Sequence, residues 1–377
     1  MLLATVLSAW LQYAADGRPH ARAIVTGACP VVNADTRAIG MTVRTPQGGA
    51  FADIVCEAPV PADAKRVRVG DRVIAAPARR TQRIAVLGDT GCRIASYAAQ
   101  ACDKPGAWPF ARISAAVAAA KPDLVVHVGD YYYREVACPA GTDCTGSRHG
   151  DNAASWRADF FAPAAPMFAA APLVLARGNH ENCERGGVGW FRYLDARAAT
   201  ACSEATAPFA VDIAGVRLVL FDSAVAEDRV VTAARTETFK QQFRDVAAMG
   251  AARTPPWFVT HRPPYLNDDQ HAAMGNALAP YGLVLAGHLH LFAVLNVEGF
   301  PPQVVQGVGG TKLDPDYVRF LGLQAAPLKL VGQPFGSAMF GFTLYERAAE
   351  GWTLTLRDPD GRVKATCAIV RKVATCR

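Results

Sequence analysis

Five short clusters of polar residues are the part of this sequence whose residue types and spacing could do chemistry. Each follows a short apolar run, namely 84–87, 124–128, 173–176, 257–259 or 283–286. A short apolar run that stops at a turn residue is typical of a buried parallel strand, and the carboxyl ends of such strands meet at one edge of a sheet. We therefore expect the five clusters to converge in space. They are Gly88-Asp89-Thr90-Gly91, Gly129-Asp130-Tyr131-Tyr132-Tyr133, Gly178-Asn179-His180-Glu181, Val259-Thr260-His261 and Gly287-His288-Leu289-His290.

The side chains in these clusters are metal ligands of the harder kind. They offer two aspartates, one asparagine, three or four histidines and a tyrosine, and apart from the neighbouring Cys92 no cysteine lies among them. Imidazole with oxygen donors suits iron, zinc or manganese. About seven ligands are too many for one tetrahedral ion, but they fit two ions that share a carboxylate, the arrangement used in many hydrolyses of phosphoryl esters.

The order of the clusters resembles a known family, the calcineurin-like metallophosphoesterases, and within it the purple acid phosphatases. That subgroup has D-x-G, G-D-x-x-Y, G-N-H-E, V-x-x-H and G-H-x-H in this order. Gly91 stands where most of the superfamily has a histidine, and Tyr133 has the position of the tyrosine that compensates in the subgroup. One small departure is Phe258, which replaces the usual valine before His261.

The resemblance implies a site with two different metal ions. A ferric ion would be held by Asp89, Asp130, Tyr133 and His290, because a phenolate favours a trivalent ion. A divalent zinc, iron or manganese ion would be held by Asp130, Asn179, His261 and His288, with Asp130 bridging the two. His180 is not a ligand in the family. The resemblance implies that it contacts the phosphate oxygens or protonates the leaving alcohol as a general acid.

Several residues near the clusters have alternative interpretations. Tyr131 and Tyr132 adjoin Tyr133 and compete with it for the ligand position, and we expect His127 to be buried near the site rather than to be a ligand. Four arginines flank the clusters and either bind phosphate or form ordinary ion pairs: Arg134, Arg177, Arg185 and Arg262.

A glycine-rich stretch, Gln306-Gly307-Val308-Gly309-Gly310-Thr311, follows the last cluster. It resembles the family's loop beside the metal site. Taken alone, it is equally well explained as a turn whose glycines adopt positive φ.

The chain divides near residue 80. Residues 1–80 contain short β-rich segments separated by turn residues, which predicts a small antiparallel sandwich-like domain. Residues 81–377 alternate apolar strands with helical stretches at 113–120 and 236–249, and end in antiparallel strands. The predicted fold is of the α/β (α+β) class: a metallophosphoesterase sandwich of two mixed β-sheets flanked by helices, preceded by the small β-domain.

Ten cysteines occur as sequence neighbours without C-x-x-C doublets, and proximity pairs 29 with 56, 92 with 102, 138 with 144, 183 with 202 and 367 with 376. Such a set favours disulfides in an oxidising compartment over reduced thiols in the cytosol. We expect a secreted or periplasmic protein. The first residues lack a complete signal sequence because no basic residue precedes Arg18, so we expect the numbering to start near a mature N-terminus.

Composition and charge give no indication of a nucleic-acid or membrane partner. The net charge is +6 over 377 residues, and no basic track with interleaved aromatic residues points to nucleic acid. No segment reaches about 18 apolar residues, so we expect no membrane span. The sequence does not indicate an oligomeric state.

Taken together, the resemblance implies a secreted phosphatase that hydrolyses small phosphate monoesters through attack by a metal-bound hydroxide. Two alternatives remain at this stage. One is a phosphodiesterase or nucleotide hydrolase with the same site, and the other is a non-catalytic secreted binding protein that contains metal.

Overall fold

In the computed structural model the described residues are 5–198, 201–321 and 328–377. The first part of the chain forms only β-structure. Its strands are β1 (Thr5–Tyr13), β2 (Pro19–Thr26), β3 (Val31–Ala34), β4 (Arg37–Gly40), β5 (Thr42–Thr45), β6 (Ile54–Pro59), β7 (Val67–Val69) and β8 (Arg72–Ile74).

The next part alternates strands and helices, as the sequence predicts. It comprises β9 (Arg83–Leu87), β10 (Ile94–Ala95), β11 (Ala98–Ala99), α1 (Phe110–Ala119), β12 (Leu124–His127), α2 (Ala153–Trp156), a π-helix (Arg157–Phe161), α3 (Ala165–Ala170), β13 (Leu173–Leu175), a 3-10 turn (Asn179–Glu181) and α4 (Gly187–Tyr193).

The remaining elements build a second sheet and then return to the first. They are β14 (Phe209–Ile213), β15 (Val216–Leu220), α5 (Ala233–Gly250), β16 (Trp257–Val259), α6 (Asp268–Met274), β17 (Leu283–Ala286), β18 (Phe292–Leu295), β19 (Gln303–Gln306), a 3-10 helix (Pro315–Phe320), β20 (Phe335–Ser337), β21 (Phe342–Arg347), β22 (Trp352–Arg357), β23 (Val363–Val370) and β24 (Val373–Cys376).

Two large mixed sheets carry the architecture. One has the strand order β24-β23-β22-β21-β9-β12-β13-β1-β2-β6-β5, and the other has the order β14-β15-β16-β17-β19-β18-β20. In the first sheet β9, β12, β13 and β1 are mutually parallel, and in the second β15, β16, β17 and β19 are. The predicted sandwich of two mixed sheets is confirmed.

The main core lies between these sheets, and strand β9 shows how the sequence specifies it. Ile84 and Val86 point into the core shared with the second sheet, whereas Ala85 and Leu87 pack on the other face beneath α1 and α3. Both faces of the strand are therefore buried, which explains why it is a continuous apolar run rather than an alternating one. Helices α5 and α6 cover the outer face of the second sheet.

The first strand, β1, is an element that the sequence does not predict. It pairs in parallel with β13 and antiparallel with β2, so the N-terminal strands extend the large sheet. Trp10 is fully buried and its ring lies 5.2 Å from that of Phe161 and 5.7 Å from that of Phe168. Strands β3, β4, β7 and β8 form a separate small sheet that shares an apolar cluster with β1, β2 and β6 of the large sheet. The domain boundary at residue 80 stays a prediction.

Five disulfides join Cys29 with Cys56, Cys92 with Cys102, Cys138 with Cys144, Cys183 with Cys202, and Cys367 with Cys376. The pairing predicted from proximity is thus confirmed. These bonds are consistent with an oxidising compartment. Within the described ranges, none of the helices combines the length and the apolar character needed to cross a bilayer.

Candidate metal centre

The five polar clusters converge at one edge of the sandwich. Three of them follow the adjacent parallel strands β9, β12 and β13, and two follow β16 and β17 of the facing sheet. The backbone is left-handed at three of the expected ligands, with φ of 57° at Asp89, 60° at Asp130 and 71° at His288. Such a conformation costs free energy at any residue other than glycine, so the surrounding structure must hold these side chains in place.

The first expected ligand group surrounds the hydroxyl of Tyr133. This oxygen lies 2.7 Å from Asp130 Oδ2, 3.1 Å from Asp89 Oδ1 and 3.0 Å from His290 Nε2. All four residues are almost fully buried. The neighbouring tyrosines point elsewhere, since the hydroxyl of Tyr131 donates to Ala176 O and that of Tyr132 donates to Arg134 O.

The second expected group shares Asp130 with the first. His261 Nε2 lies 3.1 Å from Asp130 Oδ2 and 3.0 Å from Asn179 Oδ1. Within the described part of the chain, Asp130, His261 and His288 also form a cluster whose ligand atoms all lie within 4.8 Å of one another. The side chain of Asp130 is therefore the one that both groups have in common.

Each of the three histidines is held through one ring nitrogen by an acceptor outside the cluster. His261 Nδ1 contacts Val128 O at 2.9 Å, His288 Nε2 contacts Asp228 Oδ2 at 2.9 Å, and His290 Nδ1 lies 3.3 Å from Asp314 Oδ2. If each of these nitrogens carries the proton, the other nitrogen presents a lone pair. Metal-binding histidines are commonly oriented by such partners.

The contacts within the cluster test whether metal ions fit it. The hydroxyl of Tyr133 has one proton but three acceptors around it, and His261 Nε2 faces two oxygen acceptors. Lone pairs that converge this closely in a buried site repel one another unless a cation lies among them. The donor set therefore fits metal ions.

The charges of the site point the same way. Burial opposes a charge on His261, but the carboxylate of Asp130 outweighs it and raises the pKa of His261 to about 9. Burial, together with the charges of Asp130 and Asp89, raises the pKa of Tyr133 well above its usual range. Burial lowers the pKa of His288 to about 4. The carboxylates thus attract positive charge, and a bound cation would replace the proton on His261 and favour the phenolate of Tyr133.

His180 lies beside the cluster rather than in it. Its Nδ1 contacts Glu135 Oε1 at 2.8 Å, its backbone N–H donates to Asp130 Oδ1 at 2.9 Å, and its Nε2 is 3.9 Å from Asp130 Oδ2. The ring lies 3.9 Å from that of Tyr133 and lines the cavity. Burial lowers the pKa of His180.

The cavity over the cluster has a volume of about 590 Å³. Expected ligands Asp130, Asn179, His288 and His290 line its floor. Its walls include Arg93, Tyr97, Arg185 and Tyr317. A cleft of this size with a few polar groups at its base is suited to a small-molecule substrate.

The four flanking arginines all pair with carboxylates. The pairs are Arg134 with Asp159, Arg177 with Asp222, Arg185 with Glu135, and Arg262 with Asp228. Of the two interpretations, ordinary ion pairs match these contacts. His127 is fully buried with its Nε2 3.0 Å from Thr90 Oγ1, as we expect for a histidine near the site.

The glycine-rich stretch packs on the loop of Asp89. The N–H of Gly309 donates to Gly88 O and that of Thr311 donates to Asp89 O, both at 2.9 Å. None of its three glycines has positive φ. Glycine is needed because any Cβ at Gly307 would collide with the carbonyl of Leu289, and one at Gly309 with that of Gly88.

Sequence reasoning missed the residues that support the ligands. Asp228 and Asp314 orient His288 and His290, and Glu135 orients His180, yet all three lie in loops that no motif marks. The sequence does contain a signal for Glu181, because this residue belongs to the Gly178-Asn179-His180-Glu181 cluster. Its carboxylate accepts hydrogen bonds from four backbone N–H groups of the two neighbouring loops.

Comparison with known proteins agrees with this geometry. The calcineurin-like phosphoesterase family matches residues 82–292, more than half of the chain. A purple acid phosphatase, PPD1, from yellow lupin (Lupinus luteus) seeds is 14% identical with a TM-score of 0.60, covering 94% of this chain and 72% of its own. The structure of PhoD is 12% identical with a TM-score of 0.60, covering 98% of this chain and 91% of its own.

These similarities differ in what they establish. The two solved structures share the fold at low sequence identity, and no curated protein matches the chain by sequence. The family match covers the segment that contains all five polar clusters. The resemblance inferred from those clusters is thus confirmed for the family and the fold.

Proposed function

Because the chain belongs to the calcineurin-like phosphoesterase family and is a metal-dependent phosphoric ester hydrolase, we propose that it hydrolyses phosphate monoesters at a centre of two metal ions. The observation that carries the proposal is the position of Asp130 Oδ2, which lies 2.7 Å from the Tyr133 hydroxyl and 3.1 Å from His261 Nε2. One carboxylate thus belongs to both ligand groups, as a bridging ligand must.

The proposed ligand sets follow the two groups. Asp89, Asp130, Tyr133 and His290 would hold a ferric ion, and Asp130, Asn179, His261 and His288 a divalent zinc, iron or manganese ion. The hydroxyl of Tyr133 contacts the three other members of its group, which supports the first set. Asp228 and Asp314 support the proposed ligand roles of His288 and His290, because each carboxylate fixes the orientation of one imidazole ring.

The chemistry divides between the ions and the protein. When bound, two metal ions supply a water nucleophile of lowered pKa and positive charge for the phosphoryl oxygens. The protein's own groups fix the ligands, exclude bulk water from the buried floor and manage the proton of the leaving group. Asp130 accepts the backbone N–H of His180, so the carboxylate that would hold both ions also fixes the position of the histidine.

We assign the general acid role to His180. Glu135 Oε1 lies 2.8 Å from Nδ1, Nε2 lies 3.9 Å from Asp130 Oδ2, and the ring lines the cavity. A proton on Nε2 would pass to the oxygen of the leaving alcohol as its bond to phosphorus breaks. Glu135 itself also contacts Arg185 at 3.4 Å, which limits its movement.

We further propose that the protein acts in an oxidising compartment, as a secreted or periplasmic enzyme. The five disulfides support this because such bonds persist outside the reducing cytosol. The enzyme's substrate would then be a small phosphate ester present in that compartment.

The deciding experiment joins metal analysis with an activity assay on the purified protein. We expect two metal ions per chain, one of them iron, a broad visible absorption band from the tyrosine-iron pair, and faster turnover of p-nitrophenyl phosphate than of bis(p-nitrophenyl) phosphate. Asp130→Asn should lose both ions. Asp212→Asn is the matched control, because Asp212 is 71% exposed on β14 and forms a salt bridge with Arg217.

The possible results separate the proposal from its rivals. Two divalent ions and a colourless protein would remove the ferric assignment and keep the hydrolase. Preference for the diester would replace the monoesterase with a phosphodiesterase. Less than one ion per chain and no turnover of either ester would contradict the proposed function altogether.

A further inference from the structure

A short disulfide-closed hairpin forms one wall of the cavity over the metal centre. Strands β10 and β11 pair between Cys92 and Cys102, which are bonded to each other. Two side chains of this hairpin, Arg93 and Tyr97, line the cavity. None of the five polar clusters includes either residue.

The hairpin is fixed to the candidate metal centre by its backbone. The N–H of Ile94 donates to Tyr133 O at 2.9 Å, and the N–H of Glu135 donates to Ile94 O at 3.0 Å. Gln100 closes the other side, since its Oε1 accepts the N–H of Arg93 and its Nε2 donates to Gly310 O at 2.8 Å. Arg93 is therefore held in place immediately beside Tyr133.

Arg93 differs from the four arginines that the sequence singled out. Each of those is neutralised by a carboxylate, whereas no salt bridge from Arg93 to a carboxylate occurs among residues 5–198, 201–321 and 328–377. Its guanidinium lies 5.3 Å from the centre of the Tyr133 ring, and one terminal nitrogen is 3.4 Å from His290 Nε2. Its Nε is buried without a hydrogen-bond partner in the described structure.

A guanidinium at the edge of a metal centre that forms no salt bridge within the described ranges has a clear chemical use. Its planar fork of N–H donors matches two oxygens of a phosphoryl group. Because Arg93 also lines the cavity, these donors can reach a group bound over Asp130 and His290.

Tyr97 is the second unusual side chain of the hairpin. It is 73% exposed, more than any other large hydrophobic residue in the described part of the chain. The guanidinium carbon of Arg93 lies 5.9 Å from the centre of its ring. Pro263, Leu266, Leu289 and Tyr317 line the same cavity, so its mainly polar and charged wall also offers apolar and aromatic surface. An aromatic ring gains most in such a space by packing against Tyr97.

We propose that Arg93 and Tyr97 determine specificity, and that the preferred substrates are phosphate monoesters of alcohols or phenols that carry an aromatic ring. This inference rests on the proposed function. Arg93 binds two non-bridging phosphoryl oxygens, and Tyr97 packs against the ring of the leaving group. In the reaction the oxygen of water bonds to phosphorus, the bond from phosphorus to the ring-bearing oxygen breaks, and that oxygen takes a proton from His180.

Substitutions in the hairpin test the two roles separately. Tyr97→Ala should lower kcat/KM for phenyl phosphate about 3- to 10-fold more than kcat/KM for ethyl phosphate, because only the first substrate has a ring to pack. Tyr97→Phe keeps the ring, so its kcat/KM for both phenyl phosphate and ethyl phosphate should stay close to that of the wild type. The comparison is between each variant and the wild type on the same ester, so the better leaving group of phenyl phosphate cancels.

The test of Arg93 uses binding as well as rate. Arg93→Ala should weaken inhibition by inorganic phosphate about 10- to 100-fold and lower kcat/KM for both esters, the range expected for losing charge-assisted hydrogen bonds. Arg93→Lys keeps the positive charge but lacks the planar pair of N–H donors. Its phosphate inhibition and kcat/KM should lie between those of the wild type and of Arg93→Ala. Metal content should equal that of the wild type. Arg244→Ala, at a 59% exposed position on the outer helix α5, is the control and should change neither quantity.

The roles of Tyr97 and Arg93 can each be overturned by a specific result. Equal losses on phenyl and ethyl phosphate in Tyr97→Ala would overturn the preference for aromatic rings. Unchanged phosphate inhibition in both Arg93 variants, or loss of metal from both, would overturn the role of Arg93 in binding substrate. If the wild type hydrolyses both esters, the proposed function stands whatever the variants do. If it hydrolyses neither, the proposed function fails and this inference fails with it.

Discussion

Glu181→Gln tests how the fold holds the metal ligands. Glu181 is fully buried, and its carboxylate joins two of the ligand loops. Oε1 accepts the N–H groups of Tyr131 and Tyr132 at 2.9 and 3.1 Å. Oε2 accepts those of Asp130 and Gly178, both at 3.1 Å. One side chain thus fixes the backbone of Asp130 and of the two residues after it to the loop of Asn179.

The magnitude follows from the number of bonds that an amide cannot make. Glutamine retains one carbonyl oxygen, so two of the four backbone N–H groups lose their acceptor and face an NH₂ group instead. Burial and the charge of Asp130 raise the pKa of Glu181 to about 8, so the carboxylate is charged above that pH, where the unfolding is to be measured. There a hydrogen bond to a charged group contributes about 1.5–3 kcal/mol, and a buried donor left without a partner costs a similar amount. For two such bonds we therefore expect the free energy of unfolding to fall by about 3–6 kcal/mol, which is a large part of the roughly 5–15 kcal/mol of a typical domain.

Urea unfolding of the two proteins measures this difference, and metal retention measures its effect on the site. Asp130 has a left-handed backbone, with φ of 60°, and the clamp by Glu181 helps to hold it there. The variant should therefore also release metal to a chelator faster than the wild type. Glu184→Gln makes the same chemical change at an exposed position three residues later and should behave as the wild type.

The refuting result is equally specific. If Glu181→Gln unfolds within about 0.5 kcal/mol of the wild type and keeps its metal, the carboxylate does not fix the ligand loops. The strained backbone at Asp130 would then need another explanation.

Substitutions at Tyr133, His180, Trp10 and Glu57 test four other parts of the structure. Tyr133→Phe should fold but lose the visible band, and an unchanged spectrum would remove Tyr133 from the site. His180→Ala should keep both ions and lose about 10²- to 10⁴-fold in kcat; turnover like that of the wild type would end its general acid role. Trp10→Ala should lower the free energy of unfolding by about 3–5 kcal/mol, since the ring is fully buried, and a change under about 1 kcal/mol would show that β1 contributes little to the apolar cluster beneath α1 and α3. Burial opposes the charge of Glu57, but Arg22 and Arg44 outweigh it and lower its pKa from 4.5, so its contribution is complete above that pH and is lost as the pH falls through the folded pKa. The stability difference between wild type and Glu57→Gln should therefore shrink in acid, and a constant difference would contradict the pKa shift.

The expected ligands were accessible from the sequence because each lies within a few residues of a strand end. Asp89 follows β9 and Asp130 follows β12, and these strands are buried on both faces, which makes their apolar runs easy to recognise. Parallel strands must place their carboxyl ends at one edge. Local pattern and one topological rule were therefore enough to bring distant motifs together.

The supporting residues were not accessible because their positions depend on the complete fold. Asp228 reaches His288 across 60 residues of sequence, and Arg93 reaches His290 across 197. Each lies in a loop or hairpin without a periodic pattern, so nothing local indicates its neighbours. Strand β1 was missed for a related reason: no local pattern indicates that the first apolar run pairs with β13, about 160 residues later.

The disulfides connect these observations, because they lie where the ligand loops need support. Cys92 follows Asp89 by three residues, and Cys183 follows Asn179 by four. The left-handed backbone at Asp89 and Asp130 costs about 1–3 kcal/mol at each position and persists only in surroundings that do not relax. The disulfides beside these loops and the hydrogen bonds from Asp130 and Gly178 N–H groups to Glu181 provide such surroundings. The oxidised state therefore contributes to the geometry of the site as well as to the stability of the fold, and an enzyme built this way suits a compartment where disulfides persist.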